Sequence, residues 1–431
     1  MKMNNRTPAR LAAIGLAGAM LVATAGCSAT DSDSGDAGST SISFWGWVPG
    51  LEDAVALWNE DHPELQVEFT RIASADVKNL PSQIDAGTAP DAAQVSINAL
   101  PGYVIDQQAQ DITEYVADQE DNFTASTWRG VTFSDSVYAV PQDSSPTALM
   151  YRKDIFEQHG IAVPTTWDEY VAAAEALHAA DPNVYIGQFS PNEGSLFQVD
   201  QIQSGSQWFG TEGDAWTVGI DDAAVQPVAD RYQELLAQDL LKVEQMWTPE
   251  YWSDVNSGAI ASINYAAWFP VILAENAPDT AGKWAVAPSP SDSGSGPSAD
   301  LGGSVNIVTS TSTKAEQAAE FITWLNTDPE SLDILIAKGG LFPAAIAGFD
   351  SPSLTATSDF WGGQDVSQVF IDAAENTADG SVAGPAYDAA YAAVLDQFAL
   401  AANGEITVGE ALKAASGTTR STLESMGLTV K

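Results

Sequence analysis

A strand, an amphipathic helix and a second strand follow one another between Ser41 and Phe69. That order commits the chain to a parallel sheet covered by helices. Ser41-Ile-Ser-Phe-Trp-Gly-Trp reads as the first strand, ending in glycine and aromatics. Leu51, Val55 and Trp58 then recur at helical spacing, with Glu52 and Asp53 at the positive end of the helix dipole. His62-Pro63 stops the helix, and Leu65, Val67 and Phe69 alternate as the second strand.

The same alternation continues. A helix is predicted from Asp76 to Ala86, ended by Gly87, and Pro90-Asp91 leads into a strand from Ala92 to Ile97. Val137 to Pro141 and Thr147 to Tyr151 read as short strands around the polar patch Gln142 to Ser145. Lys153 to His159 is a short helix stopped by Gly160. Thr166-Trp167-Asp168-Glu169 is a capping box that opens a helix running to about Ala180. A helix from Val225 to Gln238 precedes a strand from Ala259 to Asn264, and Ser289 to Ser298 is a surface loop rich in serine, glycine and proline. Val305 to Val308 is a strand, Lys314 to Leu325 a helix, and 364–378, 385–402 and 407–425 are helical. The fold class is α/β with a helix-rich tail, without an internal repeat.

The N-terminus is of a different kind. Lys2, Arg6 and Arg10 precede an apolar run from Leu11 to Ala25, which falls short of the roughly 20 residues that span a bilayer. Ala25-Gly26-Cys27 closes it, and Cys27 is the chain's sole cysteine, so no disulfide forms within it. The stretch resembles a bacterial lipoprotein signal peptide (residues 1–26), with Thr24 where leucine is usual and Cys27 as the lipidated residue. The alternative is ordinary cleavage after Ala23-Thr24-Ala25, leaving a free thiol. Ser28 to Thr40 contains nothing larger than aspartate and nothing to bury, so 27–40 reads as a lipidated cysteine and flexible tether. Fully extended, such a tether reaches about 40 Å.

Charge excludes several functions. With 58 acidic against 16 basic residues the formal net charge is −42, and loss of Lys2, Arg6 and Arg10 makes the mature chain more acidic still. Such a surface repels nucleic acid and disfavours polyanionic ligands. A hydrophobic content of 45% nevertheless supports real cores, so this is not an acidic disordered chain; its length suggests two or three domains. His62, His159 and His178 stand at surface or cap positions, which leaves no base for a Ser/His pair. No HExxH, Walker or GxGxxG motif is present, so no metal, cofactor or catalytic residue is assigned. A glycosidase needs two carboxylates at a set separation, and among this many acids chance pairs carry no information.

Several motifs occur in a telling order. Phe44-Trp45-Gly46-Trp47 is followed by Trp58-Asn59-x-x-His62-Pro63-x-Leu65-x-Val67 and Gly87-Thr88-Ala89-Pro90-Asp91. Tyr138-Ala-Val-Pro141, Ala148-Leu149-Met150-Tyr151-Arg152-Lys153-Asp154 and Pro164-x-Thr166-Trp167-Asp168-Glu169 come next. Then come Ala285 to Pro290, Gly302-Gly303, Phe321-Ile-x-Trp324-Leu, Gly339-Gly340-x-Phe342-Pro343-Ala344 and Asn403-Gly404. Over nearly all of 41–425 the chain resembles the family 1 extracellular solute-binding proteins, the maltose-binding-like receptors of carbohydrate ABC importers. The resemblance implies a two-lobe periplasmic-binding-protein type II fold, each lobe a sheet flanked by helices, joined by hinge crossovers. Lobe 1 would take 41–143 plus 301–341, and lobe 2 would take 146–298 plus 345–431.

It also implies a non-catalytic monomer, exported and held to the outer face of the cell membrane by Cys27. Its partners would be an oligosaccharide and ABC permease subunits. The alternatives are a carbohydrate sensor or adhesin without transport, a polyamine receptor, or a glycosidase. Sugar sites need flat apolar faces for ring CH groups and polar groups for hydroxyls. Of 13 tryptophans, Trp45, Trp47, Trp208, Trp268 and Trp361 stand in loop-like places, whereas Trp58, Trp167 and Trp324 lie on apolar helix faces. Carried over by position, the resemblance places Trp45 and Trp47 at a first-strand ligand contact and Asn98 just past the third strand. Asp143, Ser144 and Ser145 fall on the cleft floor, Trp268 at a stacking position, Gly302 and Gly303 on the returning hinge, and Phe342 and Trp361 at the cleft edge. Arg152 departs from the family's usual asparagine or aspartate and reads as structural. Abundant tryptophan with few cations favours a neutral oligosaccharide.

Overall fold

The computed structural model describes residues 40–378 and 383–431. The expected signal peptide, Cys27 and the tether up to Ser39 lie outside the described residues, and Thr40 already begins the first strand, Thr40–Gly46. That strand, the helix Leu51–Asp61 and the strand Leu65–Arg71 form the expected parallel unit, in register from Thr40 with Leu65 to Gly46 with Arg71. The helix buries Leu51, Ala54, Val55 and Trp58 against the sheet. Gly50, which caps it, has φ 96°, a left-handed conformation that side chains resist.

The first sheet runs in the order Leu65–Arg71, Thr40–Gly46, Ala92–Ser96, Ser304–Val308, Ala139–Pro141. The first three strands are parallel; Ser304–Val308 comes back from far along the chain and pairs antiparallel with both neighbours. A second sheet places Thr147–Arg152 between Ser262–Ala266 and Trp284–Pro288, all antiparallel. Beside it, Gly187–Phe189 and Leu241–Val243 pair in parallel. Two hydrophobic cores follow. One gathers Ile42, Phe44, Trp58, Val95, Ile307, Phe321 and Leu335; the other gathers Met150, Phe156, Phe189, Tyr251, Trp284, Phe398 and Leu412.

Local signals explain most elements. Thr166 accepts from the Glu169 amide at 3.1 Å while Glu169 accepts from the Thr166 amide at 3.2 Å, which closes the capping box and starts Trp167–Ala180. Gly160 ends Lys153–His159 at φ 67°. The helices Gln226–Ala237, Ala315–Thr327, Val366–Glu375, Tyr387–Ala402 and Val408–Ser425 fall within two or three residues of their sequence bounds. The predicted helix from Asp76 to Ala86 differs: Ser74–Asn79 is 3₁₀, and the α-helix is only Leu80–Asp85. Pro81 is the reason, since its ring fits a first helical turn but cannot sit inside one. The strand predicted from Ala259 to Asn264 lies at Ser262–Ala266, where it pairs with Thr147–Tyr151. The loop from Ser289 to Ser298 is exposed only at its tip; Ser291 and Ser298 at its ends are buried.

Candidate functional site

The chain passes between the two cores three times, near 142–147, 299–304 and 342–345. Those passes are stitched together by backbone. Ser144 donates to the Phe342 carbonyl at 3.0 Å, Leu301 to the Ser145 carbonyl at 2.9 Å, and Ala344 to the Gln142 carbonyl at 3.2 Å. Two carboxylates reinforce the stitching in opposite directions. Asp143 Oδ1 accepts the Ser304 amide at 2.7 Å and also the Ser304 hydroxyl. Asp300 Oδ1 accepts the Ser145 amide at 2.7 Å, and its Oδ2 accepts the Ser144 hydroxyl at 3.4 Å. Burial pushes both carboxyls up to about 6, against the hydrogen bonds that favour their ionised forms. Gly303 has φ 116°, and a Cβ there would meet the Asp143 carbonyl oxygen at 2.5 Å, so only glycine fits. Of the sequence-derived candidates, Asp143, Ser144, Ser145, Gly302 and Gly303 thus come together at one crossover.

On the side of the first core, Trp45 packs partly into the core and Trp47 stands half-buried just beyond the strand. The loop carrying Trp47 is held by two side chains. Gln94, wholly buried, accepts the Trp47 amide at 2.8 Å and donates to Ser304 Oγ at 2.9 Å, while Arg71 donates to the Trp47 carbonyl at 2.6 Å. A hydrogen-bonded line therefore runs from the Trp47 loop through Gln94 and Ser304 to Asp143. Asn98 sits in the short turn Ile97–Ala99, capped by Ser96, and lines a cavity of about 480 Å³. Tyr103 and Gln108 line it from the same core, and Gly384, Pro385 and Tyr387 from the other. That volume suits a small ligand.

The second core presents an aromatic wall. Trp268 stacks on Trp247 with ring centroids 6.2 Å apart at 22°, and meets Tyr265 edge-on at 5.1 Å. Glu193 joins this pair to a second group. Its Oε2 accepts Trp247 Nε1 at 3.0 Å, and its Oε1 accepts the Tyr391 hydroxyl at 2.7 Å and the Ser195 amide at 3.0 Å. Tyr391 stacks on Tyr387 at 5.9 Å. Burial, and then the Glu193 charge, hold the Tyr391 hydroxyl far above its ordinary range, so it remains a donor. Burial pushes Tyr387 up to about 12. Trp247 is 38% exposed although it carries a large apolar ring, and its φ of 71° is a left-handed value costly for such a residue.

The remaining candidates are Trp208, Phe342 and Trp361. Trp208 is 1% exposed and sits behind Tyr387 and Tyr391, at 6.0 and 6.5 Å, so the structure makes it a support for the wall rather than part of its surface. Phe342 and Trp361 are 4% exposed each and line a separate cavity of about 450 Å³ with Pro270, Val271 and Phe370. Arg152 is buried, paired with Asp154 at 2.8 Å, in keeping with a structural role. Glu193, Trp247, Tyr387, Tyr391 and Gln94 carry no sequence motif and emerge only from the fold. Among the described residues no group of three His, Cys, Asp or Glu side chains could hold a metal ion. None of the described helices is long and apolar enough to cross a membrane.

Known proteins share this architecture. Residues 46–331 match the family of bacterial extracellular solute-binding proteins, and the chain belongs to that family. It is similar to the galacto-N-biose/lacto-N-biose I-binding protein of an ABC transporter from Bifidobacterium longum, solved with lacto-N-biose. The two are 30% identical at a TM-score of 0.81, over 91% of this chain and 99% of that one. An ABC-transporter-associated binding protein from B. animalis subsp. lactis, solved with β-1,6-galactobiose, is 28% identical at a TM-score of 0.74, over 91% and 100%. The arabinooligosaccharide-binding protein of Halalkalibacterium halodurans is 24% identical over 78% of each chain. The fold is accordingly the two-lobe type II binding-protein fold.

Proposed function

We propose that the protein is the receptor of a carbohydrate ABC importer, binding a neutral oligosaccharide between its lobes and delivering it to membrane permease subunits. The observation that carries this reading is the wall formed by Trp268, Trp247, Tyr391 and Tyr387 around the single carboxylate Glu193. Aromatic faces suit the CH surfaces of sugar rings, and one hydrogen-bonded carboxylate suits hydroxyls without demanding a cation. The sugars bound by the two solved relatives support the ligand class. The lobes are 41–143 with 301–341 and 146–298 with 345–431, a division in keeping with the two cores, and Asn98 and Trp47 serve from lobe 1. The receptor acts as a monomer and returns its ligand unchanged.

A thermal-shift panel of lacto-N-biose, β-1,6-galactobiose, lactose, arabinooligosaccharides and spermidine tests the reading. A saccharide at 100-fold its Kd adds about 2.7 kcal/mol to stability, so at least one should raise the melting temperature measurably. A shift with spermidine alone would make this a polyamine receptor, and chromatography showing a cleaved saccharide would make it an enzyme.

Cys27 anchors the exported protein to the outer face of the membrane through lipid. Expression in a lipoprotein-processing host should place the wild-type chain in the membrane fraction, with Cys27→Ser released or left unprocessed. A mature N-terminus at Gly26 would replace the anchor with ordinary cleavage.

A further inference from the structure

We propose that Asp143 and Asp300 are positioning residues that form a reciprocal clasp between two hinge crossovers, stiffening the hinge that sets the angle between the lobes and loosening it when the clasp takes up a proton. The geometry is mutual between neighbouring chain passes. Asp143, where the first crossover leaves lobe 1, holds the amide of Ser304, where the second enters the lobe 1 sheet, and Asp300, on the second, holds the Ser145 amide of the first. Each lobe-to-lobe strand is thus fastened to the other by a charge-assisted bond, the stronger kind. Oδ1 of each carboxylate is committed to the backbone of the neighbouring crossover.

Two further buried atoms at the crossover have no hydrogen-bond partner within the protein. Gln142 is wholly buried, and its Oε1 accepts the Ser304 hydroxyl at 3.3 Å, yet its Nε2 has no partner; Ser145 Oγ, also buried, has none either. A buried unpaired donor is costly, so this stretch of the crossover is less firmly held than its backbone bonds alone imply. The line from Ser304 through Gln94 to the Trp47 amide then carries any change at the clasp to the ligand loop of lobe 1.

The surroundings give the clasp its proton sensitivity. Asp300 feels the Asp143 charge, and among the described residues neither carboxylate has an ion-pair partner. From the helix Ala125–Val131, the Ser126 hydroxyl lies near Asp300 and favours its ionised form, while Arg129 lines with Glu375 a cavity of about 360 Å³ beside the crossover. With both carboxyls raised to about 6 by burial, the clasp is ionised at pH 7.5 and protonated at pH 5. A neutral carboxyl accepts more weakly, so the hinge loosens as pH falls through 6.

The inference rests on the hinge-closing receptor reading, and a sugar-free measurement separates the two. Spin labels at Glu60→Cys and Asp168→Cys, both exposed and one on each lobe, report the inter-lobe distance by double electron–electron resonance in a chain carrying Cys27→Ser. The distance distribution should be narrow at pH 7.5 and broaden toward pH 5, with its midpoint near 6. Asp143→Asn with Asp300→Asn should give the broad distribution at both pH values, and Asp300→Asn alone an intermediate one. An unchanged wild-type distribution, or a double variant that still responds to pH, would overturn the clasp. If the double variant does not fold, the wild-type titration decides alone. A protein that fails the saccharide panel yet shows this titration keeps the clasp and loses only the sugar reading.

Discussion

Trp247→Ala and Trp268→Ala will each weaken saccharide binding by about tenfold to a hundredfold, equivalent to about 1.4–2.8 kcal/mol, while leaving the melting temperature nearly unchanged. Neither ring is sealed in a core: Trp247 is 38% exposed and Trp268 is half-buried beside Pro270. Removing Trp247 also frees Glu193 Oε2 and takes away the ring on which Trp268 lies, so its effect should be the larger. Alanine keeps the Cβ that makes a left-handed backbone costly, so the strain at this position is the same in the variant and does not enter the comparison. Trp208→Ala provides the contrast. That side chain is 1% exposed, and truncating a buried tryptophan typically costs about 3–5 kcal/mol. Calorimetric titration with whichever saccharide the panel identifies, alongside melting curves, separates these cases. Large destabilisation of Trp268→Ala or Trp247→Ala with unchanged affinity per folded molecule would move the platform into the core.

The sequence made the framework legible where one local rule dominates. The parallel unit from Thr40 to Arg71 follows from period-2 and period-3.6 patterns separated by proline, and the Thr166 helix start follows from a capping box. Other elements lack such a rule. Ser195–Gln203 is buried at every residue from Leu196 to Ile202, so it has no amphipathic stripe to read. The hairpin Phe209–Glu212 with Ala215–Val218 turns on Gly213 and is recognisable only once its strands pair. Pairing between distant segments likewise places Ser304–Val308 beside Ala92–Ser96, which a single chain read in order does not reveal.

The site divides in the same way. Crossover residues such as Asp143 and Gly303 lie in recognisable motifs, so position alone brought them together. Trp247 has no adjacent glycine or proline to mark it, and its exposure follows from a backbone angle. Glu193 is one acid among 58, distinguished only by the indole, phenol and amide that converge on it. Gln94 reads as an ordinary residue of a buried strand until its amide is found bridging the Trp47 loop and Ser304. Hydrogen-bond roles are properties of tertiary neighbours, and these depend on contacts 54, 198 and 210 residues apart.

Arg231→Met will be strongly destabilising, and its cost will grow with pH. Arg231 pairs with Asp200 at 3.0 Å, and its guanidinium lies 4.2 Å from the Trp167 ring centroid; Asp200 itself is 3% exposed. Breaking such a pair typically costs about 3–5 kcal/mol, because the carboxylate left behind is buried without compensation. Burial already raises Asp200 to about 6, despite the opposing Arg231 charge and the hydrogen bonds from Arg231 and Asn264. A carboxyl raised on folding binds more protons in the native state than in the unfolded one, so its contribution falls as pH rises between the two values and is level above them. Without Arg231 the native value climbs further, and the falling interval extends through neutrality. Urea denaturation should therefore show a modest loss at pH 5, where Asp200 is protonated, and the full loss at pH 8. Asp200→Asn combined with Arg231→Met removes the stranded charge and should recover stability mainly at pH 8. Equal losses at the two pH values would mean that the arginine contributes through packing on Trp167 rather than by balancing Asp200.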